Sequence, residues 1–270
     1  MKIGICKLCL LTKSLLLSHL MPAGLYPYFK HEQVSPLRIG DGVVFPTDQQ
    51  TKDYLLCTDC EDILNKGGEA WMIPKFATIE YSFPFFTMLT NDPPALQDDG
   101  GAIYDAATNP LIDVQKVTHF AMGIFWRASV HSWKKGRVEP MIDLGPYSEA
   151  IRTWLSGETE FPQYMYLSVS VCRPPRAQVN MTPPTEEDRR DWHTFSMYIL
   201  GVLFVLSVGR RTDAVIKRVS FFPAPGSPVM VSDDVTAHLN QIFGESYREA
   251  RKTESFLRAK AKLDRATGPT

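Results

Sequence analysis

CKLC at residues 6–9 and LLCTDC at residues 55–60 contain two C-x-x-C pairs, separated by residues 10–56. Four thiolates from two such pairs complete the tetrahedral coordination of a zinc ion, and a site of this kind is structural because it keeps no open position. We therefore predict one structural zinc with these ligands: Cys6, Cys9, Cys57 and Cys60. The competing interpretations are four free thiols and a redox C-x-x-C, although a thioredoxin-like redox site needs one pair in a βαβ frame.

The segment between the pairs predicts turns and short strands. Turn-forming residues occur throughout it: Pro22, Pro27, Pro36, Gly40, Gly42 and Pro46. A structureless loop of this length is uncommon in a compact domain, so we expect the metal to fold it. After the second pair, residues 61–71 predict a short helix that Gly67 and Gly68 terminate. We predict a zinc-binding unit over residues 1–75.

Residues 76–270 predict a second, larger domain of mixed helices and strands, which makes the fold class α+β. Apolar residues recur at helical spacing in two segments, 118–135 and 146–158. Strands are expected at 163–171, 195–208 and 214–222, surface connections at 91–116 and 183–191, and a charged C-terminal helix at 235–263.

The composition is that of a globular protein with almost balanced charge. The 270 residues are 44% hydrophobic and carry a formal net charge of −1, which excludes collagen-like, coiled-coil and globally basic nucleic-acid-binding classes. Residues 1–75 contain eight Lys or Arg and eight Asp or Glu, so this unit has no net charge either. The paired cysteines in a chain of this length indicate a reducing compartment, and we predict a cytoplasmic protein.

Two segments resemble targeting or membrane sequences. The leucine-rich start has the outline of a signal peptide, but Lys7 and Lys13 interrupt its apolar run, and a cleaved signal is the alternative that we favour less. Residues 194–208 carry no charge, yet a membrane helix needs about 20 residues. Since Gly201 divides this run in two, buried strands explain it better. We predict no membrane association.

The sequence SHLMP at residues 18–22, placed between the two C-x-x-C pairs, resembles the zinc-containing HNH endonucleases. That family has a ββα-metal, treble-clef-like fold in which the second knuckle runs into a helix. Its first C-x-x-C is followed by Asp-His-Ile-x-Pro, and a His or Asn directly after the second pair completes a divalent-metal site with the Asp. The resemblance covers residues 1–70, and the whole chain is loosely similar to larger bacterial or phage proteins with such a start.

The resemblance implies that His19 is the general base for phosphodiester hydrolysis and that the four cysteines hold the structural zinc. Two positions depart from the family: Ser18 replaces the metal-binding Asp, and Glu61 replaces the His or Asn. Because Ser is a poor ligand for Mg²⁺, Glu61 would have to supply the carboxylate oxygen for a catalytic Mg²⁺ or Mn²⁺. Two hypotheses remain open: an HNH-like metal-dependent nuclease, and a catalytically inactive zinc-stabilised module that binds nucleic acid or protein.

DNA or RNA is the partner that the nuclease hypothesis requires. Its phosphates would be bound by four cations, provided that they converge on one face: Lys30, Arg38, Lys52 and Lys66. Arg127 and His131 also share a predicted helix face, as a phosphate clamp or, as we favour, in a packed helix whose Arg is satisfied by a carboxylate. No phosphate loop or dinucleotide fingerprint occurs, so no nucleotide cofactor is expected. The oligomeric state stays open.

Overall fold

The structure is a computed structural model that describes residues 2–29, 37–40, 43–46, 49–78, 80, 82–133, 140–174, 180–187 and 192–233, with single positions between 235 and 261. Of residues 37–40 and 43–46 only the backbone is described. Helices and sheets are both present, which confirms the α+β fold class. The helix predicted at 235–263 lies almost wholly outside the described residues.

The N-terminal part is built on a three-stranded antiparallel sheet. Its first hairpin consists of β1 (Lys2–Ile5) and β2 (Thr12–His19), followed by a 3-10 helix at Ala23–Phe29. A separate hairpin pairs β3 (Leu37–Gly40) with β4 (Val43–Pro46). Strand β5 (Lys52–Cys57) then joins β2, so the order is β1-β2-β5. The short strands predicted between the cysteine pairs are therefore confirmed.

The helix after β5 continues through the two glycines that were predicted to end it. It comprises α1 (Thr58–Leu64), a π-helical turn (Asn65–Glu69), α2 (Ala70–Met72) and a 3-10 turn (Ile73–Lys75). A Cβ atom on Gly68 would lie 2.5 Å from the carbonyl oxygen of Lys116 and from the backbone nitrogen of Phe120. This glycine thus allows another helix to approach closely, and the predicted helix end is wrong.

The central part of the chain contributes helices and a further hairpin. In chain order it contains α3 (Pro84–Leu89), β6 (Leu96–Asp98), β7 (Gly101–Asp105), α4 (Val114–Val130) and α5 (Tyr147–Leu155). Both helices predicted from apolar spacing are confirmed as α4 and α5. The surface connection predicted at 91–116 is wrong, because the β6–β7 hairpin forms one edge of a large sheet. The Asp113 carboxylate accepts the Lys116 N–H and begins α4.

The large sheet has seven strands. Its C-terminal elements are β8 (Met165–Cys172), β9 (Thr185–Glu187), β10 (His193–Ile199), β11 (Val202–Val208), α6 (Ala214–Val219) and β12 (Pro228–Ser232). The strand order is β6-β7-β12-β8-β11-β10-β9, and β12 and β8 form its parallel pair. Strands predicted at 163–171 and 195–208 are confirmed. β9 lies in the predicted 183–191 connection, of which 188–191 lie outside the described residues.

The strand predicted at 214–222 is wrong. Residues Ala214–Val219 form α6, because the Asp213 carboxylate caps the helix by accepting the Val215 N–H at 2.6 Å. Extended pairing is limited to an isolated bridge between Phe222 and Leu167. The short segment AVIKRV fits a helix and a strand equally well, and the capping Asp decides between them.

One continuous hydrophobic core joins the N-terminal sheet to the rest of the molecule. It includes Leu8 and Leu56 from the N-terminal part, and Phe120 on α4, whose ring lies 5.9 Å from that of Phe204 on β11. The core therefore crosses the boundary at residue 75, and the division into 1–75 and 76–270 stays a prediction. No helix among the described residues combines the length and apolar content that a bilayer crossing requires.

Candidate metal centre and its surroundings

The four paired cysteines meet at one point of the N-terminal sheet. Their Sγ atoms all lie within 4.8 Å of one another, and those of Cys9 and Cys57 are 4.0 Å apart. Tetrahedral zinc with Zn–S bonds of about 2.3 Å holds its sulfur atoms roughly 3.8 Å apart, so the four thiols need to approach one another by about 1 Å or less to bind zinc. Cys6, Cys57 and Cys60 are buried and Cys9 is half-buried. Three of the four thiols are therefore withdrawn from solvent.

Two local features place the thiols. The first pair lies in the β1–β2 turn, where the Leu10 N–H donates to the Cys6 carbonyl oxygen and Leu10 has φ of 60°. The second pair lies at a strand-to-helix junction, because Cys57 ends β5 and Cys60 lies in the first turn of α1. The β2–β5 register then brings the junction to the turn, and the Cys57 N–H donates to the Cys6 Sγ atom at 3.4 Å.

The thiols differ in acidity because their surroundings differ. Burial raises the pKa of Cys57 and of Cys60. Burial acts in the same direction on Cys6, but hydrogen bonds from backbone N–H groups, of which that of Cys9 is the strongest, lower its pKa to about 7. The backbone therefore stabilises one thiolate at the point where a metal would displace the remaining protons.

The first knuckle is attached to the helical part of the protein. Arg152 on α5 donates from Nη1 to the carbonyl oxygen of Leu8 at 2.7 Å and forms ion pairs with Glu149 and Glu158. These carboxylates raise the pKa of the Arg152 guanidinium. The knuckle is consequently held by a cation from a different element, a contact that sequence reasoning missed.

The two predicted catalytic residues lie on two elements that contact each other, β2 and α1. His19 ends β2 and Glu61 lies in the first turn of α1. The Nε2 atom of His19 and the Oε1 atom of Glu61 are both buried, and neither has a hydrogen-bond partner among the described residues. The His19 ring lies beside that of Tyr26, with 6.2 Å between the centroids. In the described part of the chain, no hydrogen bond or ion pair joins His19 to Glu61.

Ser18 has a structural contact where the family has its metal-binding Asp. Its side chain is 1% exposed, and its Oγ atom accepts the Leu56 N–H at 3.1 Å. The β2–β5 register shifts between Leu15 and Leu17, which leaves a backbone donor for the hydroxyl to satisfy. The serine therefore completes the sheet at an irregular position.

A buried ion pair contacts the backbone of His19. The Arg127 guanidinium on α4 pairs with the Glu69 carboxylate, and their side chains are only 2% and 13% exposed. Its Nη1 atom also donates to the carbonyl oxygen of His19 at 3.1 Å. The interpretation of Arg127 as a helix residue satisfied by a carboxylate is thus confirmed, whereas no sequence signal identified Glu69 as that carboxylate.

The predicted helix face shared by Arg127 and His131 is wrong, because α4 ends at Val130 and the backbone at His131 is extended. His131 lies beside the start of β5. Its Nε2 atom is 3.0 Å from Oδ2 of Asp53. Burial raises the pKa of Asp53, but the hydrogen bonds from the Tyr54 N–H and from His131 outweigh it and lower that pKa. Both members of the proposed clamp therefore already have carboxylate partners.

The four predicted phosphate-binding cations are only partly described. Lys30 and the Arg38 side chain lie outside the described residues. Lys52 begins β5 opposite His19, and the Lys66 Nζ atom lies 2.6 Å from the carboxylate of Asp62. Their convergence on one face stays a prediction.

No protein-family model, curated protein or solved structure matches this chain. The HNH-like assignment therefore depends on the residue pattern alone. Within the described ranges, the four cysteines are the one group of three or more His, Cys, Asp or Glu side chains placed to share a metal ion.

Proposed function

We propose that this protein is a catalytically inactive, zinc-stabilised binding module. The supporting observation is the buried cluster of four thiols, which offers zinc a full set of ligands. Because four thiolates fill the coordination sphere, an ion held there has no position for water or substrate. The role of such an ion is to fold and fix the surrounding sheet.

The surroundings of the cluster fit this role. The β1–β2 hairpin leaves Ile3 and Ile5 largely exposed, so it buries little apolar surface of its own. Structural zinc sites contribute about 10–16 kcal/mol of apparent binding free energy, which adds directly to folding. With Arg152 and Arg127 attached to the same region, the metal would hold this sheet in a fixed position against α4 and α5.

Metal analysis of the purified protein tests this proposal. We expect one zinc per chain in the wild type and its loss in Cys60→Ser. Cys172→Ser is the matched control, because Cys172 is equally buried but lies in a separate cluster with Tyr198. A wild-type protein without zinc, or a Cys60→Ser variant that retains it, would contradict the proposal.

A metal-dependent nuclease of HNH type is the second candidate. It is favoured by the Nε2 atom of His19 and the Oε1 atom of Glu61, which find no partner in the part of the chain that the structure describes. A buried polar atom without a partner is costly unless a ligand or ion satisfies it. His19 would act as the general base, and Glu61 would bind Mg²⁺ or Mn²⁺. Ser18 weighs against the nuclease, because it stands where the family has its metal-binding Asp and supplies no carboxylate. Its hydroxyl instead accepts a hydrogen bond from the Leu56 N–H.

Plasmid nicking with Mg²⁺ or Mn²⁺ decides between the two candidates. Cleavage that disappears in His19→Ala would establish the nuclease. A zinc-loaded protein that cleaves nothing with either metal supports the binding module. Ser18→Asp restores the family's carboxylate. Cleavage gained in this variant alone would indicate a nuclease fold that has lost its activity with this carboxylate.

A further inference from the structure

A basic and aromatic surface is formed where α6 and the segment after β11 meet the start of β8. It consists of two tyrosines at the start of β8 and four cations that follow β11 or lie on α6: Tyr164, Tyr166, Arg210, Arg211, Lys217 and Arg218. We propose that this basic-aromatic surface binds single-stranded nucleic acid. The inference deepens the proposed function and rests on it, because it names the partner of the binding module.

The four cations are free to bind an anion. All are exposed, and none forms an ion pair with a carboxylate among the described residues. The acidic side chain within this segment is Asp213, whose Oδ1 atom accepts the Val215 N–H of α6 at 2.6 Å. In a chain of net charge −1, this local excess of positive charge is a specific feature of one surface.

Two of the four cations lie beside the tyrosine rings. The Arg210 guanidinium carbon is 5.6 Å from the centre of the Tyr164 ring, and the Lys217 Nζ atom is 5.8 Å from that of Tyr166. Trp192 is a third, half-exposed aromatic residue, and its Cβ would be 3.2 Å from a Cβ on Gly209. Cations that follow a phosphate chain and aromatic faces on which bases stack are the two components of single-strand binding surfaces.

The backbone at Tyr164 adopts a strained conformation. Its φ of 62° lies in the left-handed region, where a residue with a large side chain is unusual, and its side chain is 39% exposed. The Gly209 N–H donates to the Tyr164 carbonyl oxygen at 2.9 Å, which joins the backbone of Tyr164 to the segment that carries Arg210. Backbone strain of this kind persists where surrounding contacts enforce it, and it is concentrated at binding sites.

An anionic lipid surface is the other partner with matching charge. It would be reached through Val215 and Val219, which are exposed on α6. However, α6 has only six residues, and two valines offer little area for insertion between lipids. The tyrosine rings in contact with cations favour a partner with flat bases, so we assign the surface to single-stranded nucleic acid.

Fluorescence anisotropy with labelled, mixed-sequence single-stranded DNA and RNA of about 16 nucleotides tests the assignment. The first variant carries Arg210→Gln, Arg211→Gln, Lys217→Gln and Arg218→Gln. We expect its affinity at low salt to fall at least about tenfold and the slope of log K against log[salt] to fall by about 0.7 for each phosphate group that the variant no longer binds. The control carries Lys2→Gln, Lys7→Gln, Lys13→Gln and Arg173→Gln, an equal change of charge at positions that belong neither to this surface nor to the four predicted phosphate-binding cations.

Tyr164→Asn separates stacking from charge. Asn tolerates the left-handed backbone, so this variant keeps the fold and the four cations while it loses the ring. We expect about tenfold weaker binding with an unchanged salt slope. Thermal unfolding of every variant verifies that the comparison is made between folded proteins.

Three results would overturn the assignment: no oligonucleotide binding by the wild type at low salt, an equal loss of affinity in the control variant, or binding only to vesicles that contain phosphatidylserine. Zinc is measured on the same samples. Oligonucleotide binding by a protein without zinc would disprove the zinc-stabilised module while the surface assignment stands. A zinc-loaded protein that binds no oligonucleotide would disprove the surface assignment while the zinc-stabilised module stands.

Discussion

Arg152 and Leu8 are joined by a hydrogen bond from the guanidinium Nη1 atom to the main-chain carbonyl oxygen, 2.7 Å long, although they lie 144 residues apart. Leu8 stands between Cys6 and Cys9, and its side chain is fully buried. The bond therefore connects the backbone of the first zinc knuckle to α5, so the geometry of the cysteine cluster depends on a residue far outside it.

Replacing Arg152 by Met should weaken both folding and zinc binding. The side chain is 9% exposed, and a buried carbonyl that loses a charged donor costs about 1.5–3 kcal/mol of unfolding free energy. Urea unfolding and competition with a zinc chelator measure the two effects. Glu158→Gln is the control, because it changes one exposed ion pair and leaves the bond to Leu8 intact. Equal behaviour of the two variants would show that the Leu8 contact is unimportant.

Gly68→Ala should destabilise the protein although alanine favours helices. The added Cβ would meet backbone atoms of Lys116 and Phe120 at 2.5 Å, and α4 has no free space into which it can shift because Phe120 is in the core. Overpacking of this kind costs about 1–3 kcal/mol.

Gly123→Ala is the matched control in α4. Its Cβ would touch only Leu64 at 3.6 Å, an ordinary contact, so helix propensity should stabilise the protein by up to about 1 kcal/mol. Urea denaturation of both variants gives the comparison. A neutral Gly68→Ala would mean that the two helices are less closely packed than the structure indicates.

The sequence predicted those parts of the site that are encoded locally. C-x-x-C spacing identifies thiols that turn towards one ion, and the cluster of Cys6, Cys9, Cys57 and Cys60 is where this pattern placed it. The helices α4 and α5 carry a regular apolar spacing and were predicted for the same reason. In each case, the local structure is determined by residues that lie only a few positions apart in the sequence.

Contacts between distant segments have no such signal. The Glu69 carboxylate that pairs with Arg127 and the Leu8 carbonyl that accepts from Arg152 lie in other elements, and no spacing in the chain points to either. Gly68 was interpreted by its usual role at helix ends, whereas its role here depends on a helix that packs across it. Tertiary packing, which one sequence does not reveal, determined each of these outcomes.

Replacing one member of the buried Arg127–Glu69 ion pair should lower the free energy of unfolding strongly. Replacing both members should lower it much less. Arg127→Met leaves the Glu69 carboxylate buried without a partner, which costs about 3–5 kcal/mol of unfolding free energy. The double variant Arg127→Met with Glu69→Met should recover much of this loss, because no unpaired charge remains.

A double-mutant cycle from urea unfolding measures the coupling between the two residues. Lys13→Met is the comparison, since its ion pair with Asp59 is exposed and should contribute little. Additive effects of the two substitutions in the buried pair would contradict the prediction.

His119 should make the folded state sensitive to acid. Burial lowers the pKa of its imidazole below the usual 6.5, and the positive charges of Lys116 and Arg127 act in the same direction, against a hydrogen bond to the backbone of Leu155 and the charge of Glu69. The unfolded chain therefore takes up a proton at a higher pH than the folded protein. Stability is fully present above about pH 6.5 and is lost as the pH falls towards the folded-state pKa.

Urea unfolding between pH 7.5 and 5 tests this prediction by comparison with His119→Gln, which cannot take up the proton. The wild type should lose stability relative to the variant below about pH 6.5, by about 1.4 kcal/mol for each unit by which the pKa is lowered. His193→Gln is the control, because the His193 side chain is exposed. This variant should show the same dependence of stability on pH as the wild type. If His119→Gln also shows the wild-type profile, other groups carry the acid sensitivity, and the burial of this imidazole beside Gly67 and Trp154 has no measurable cost.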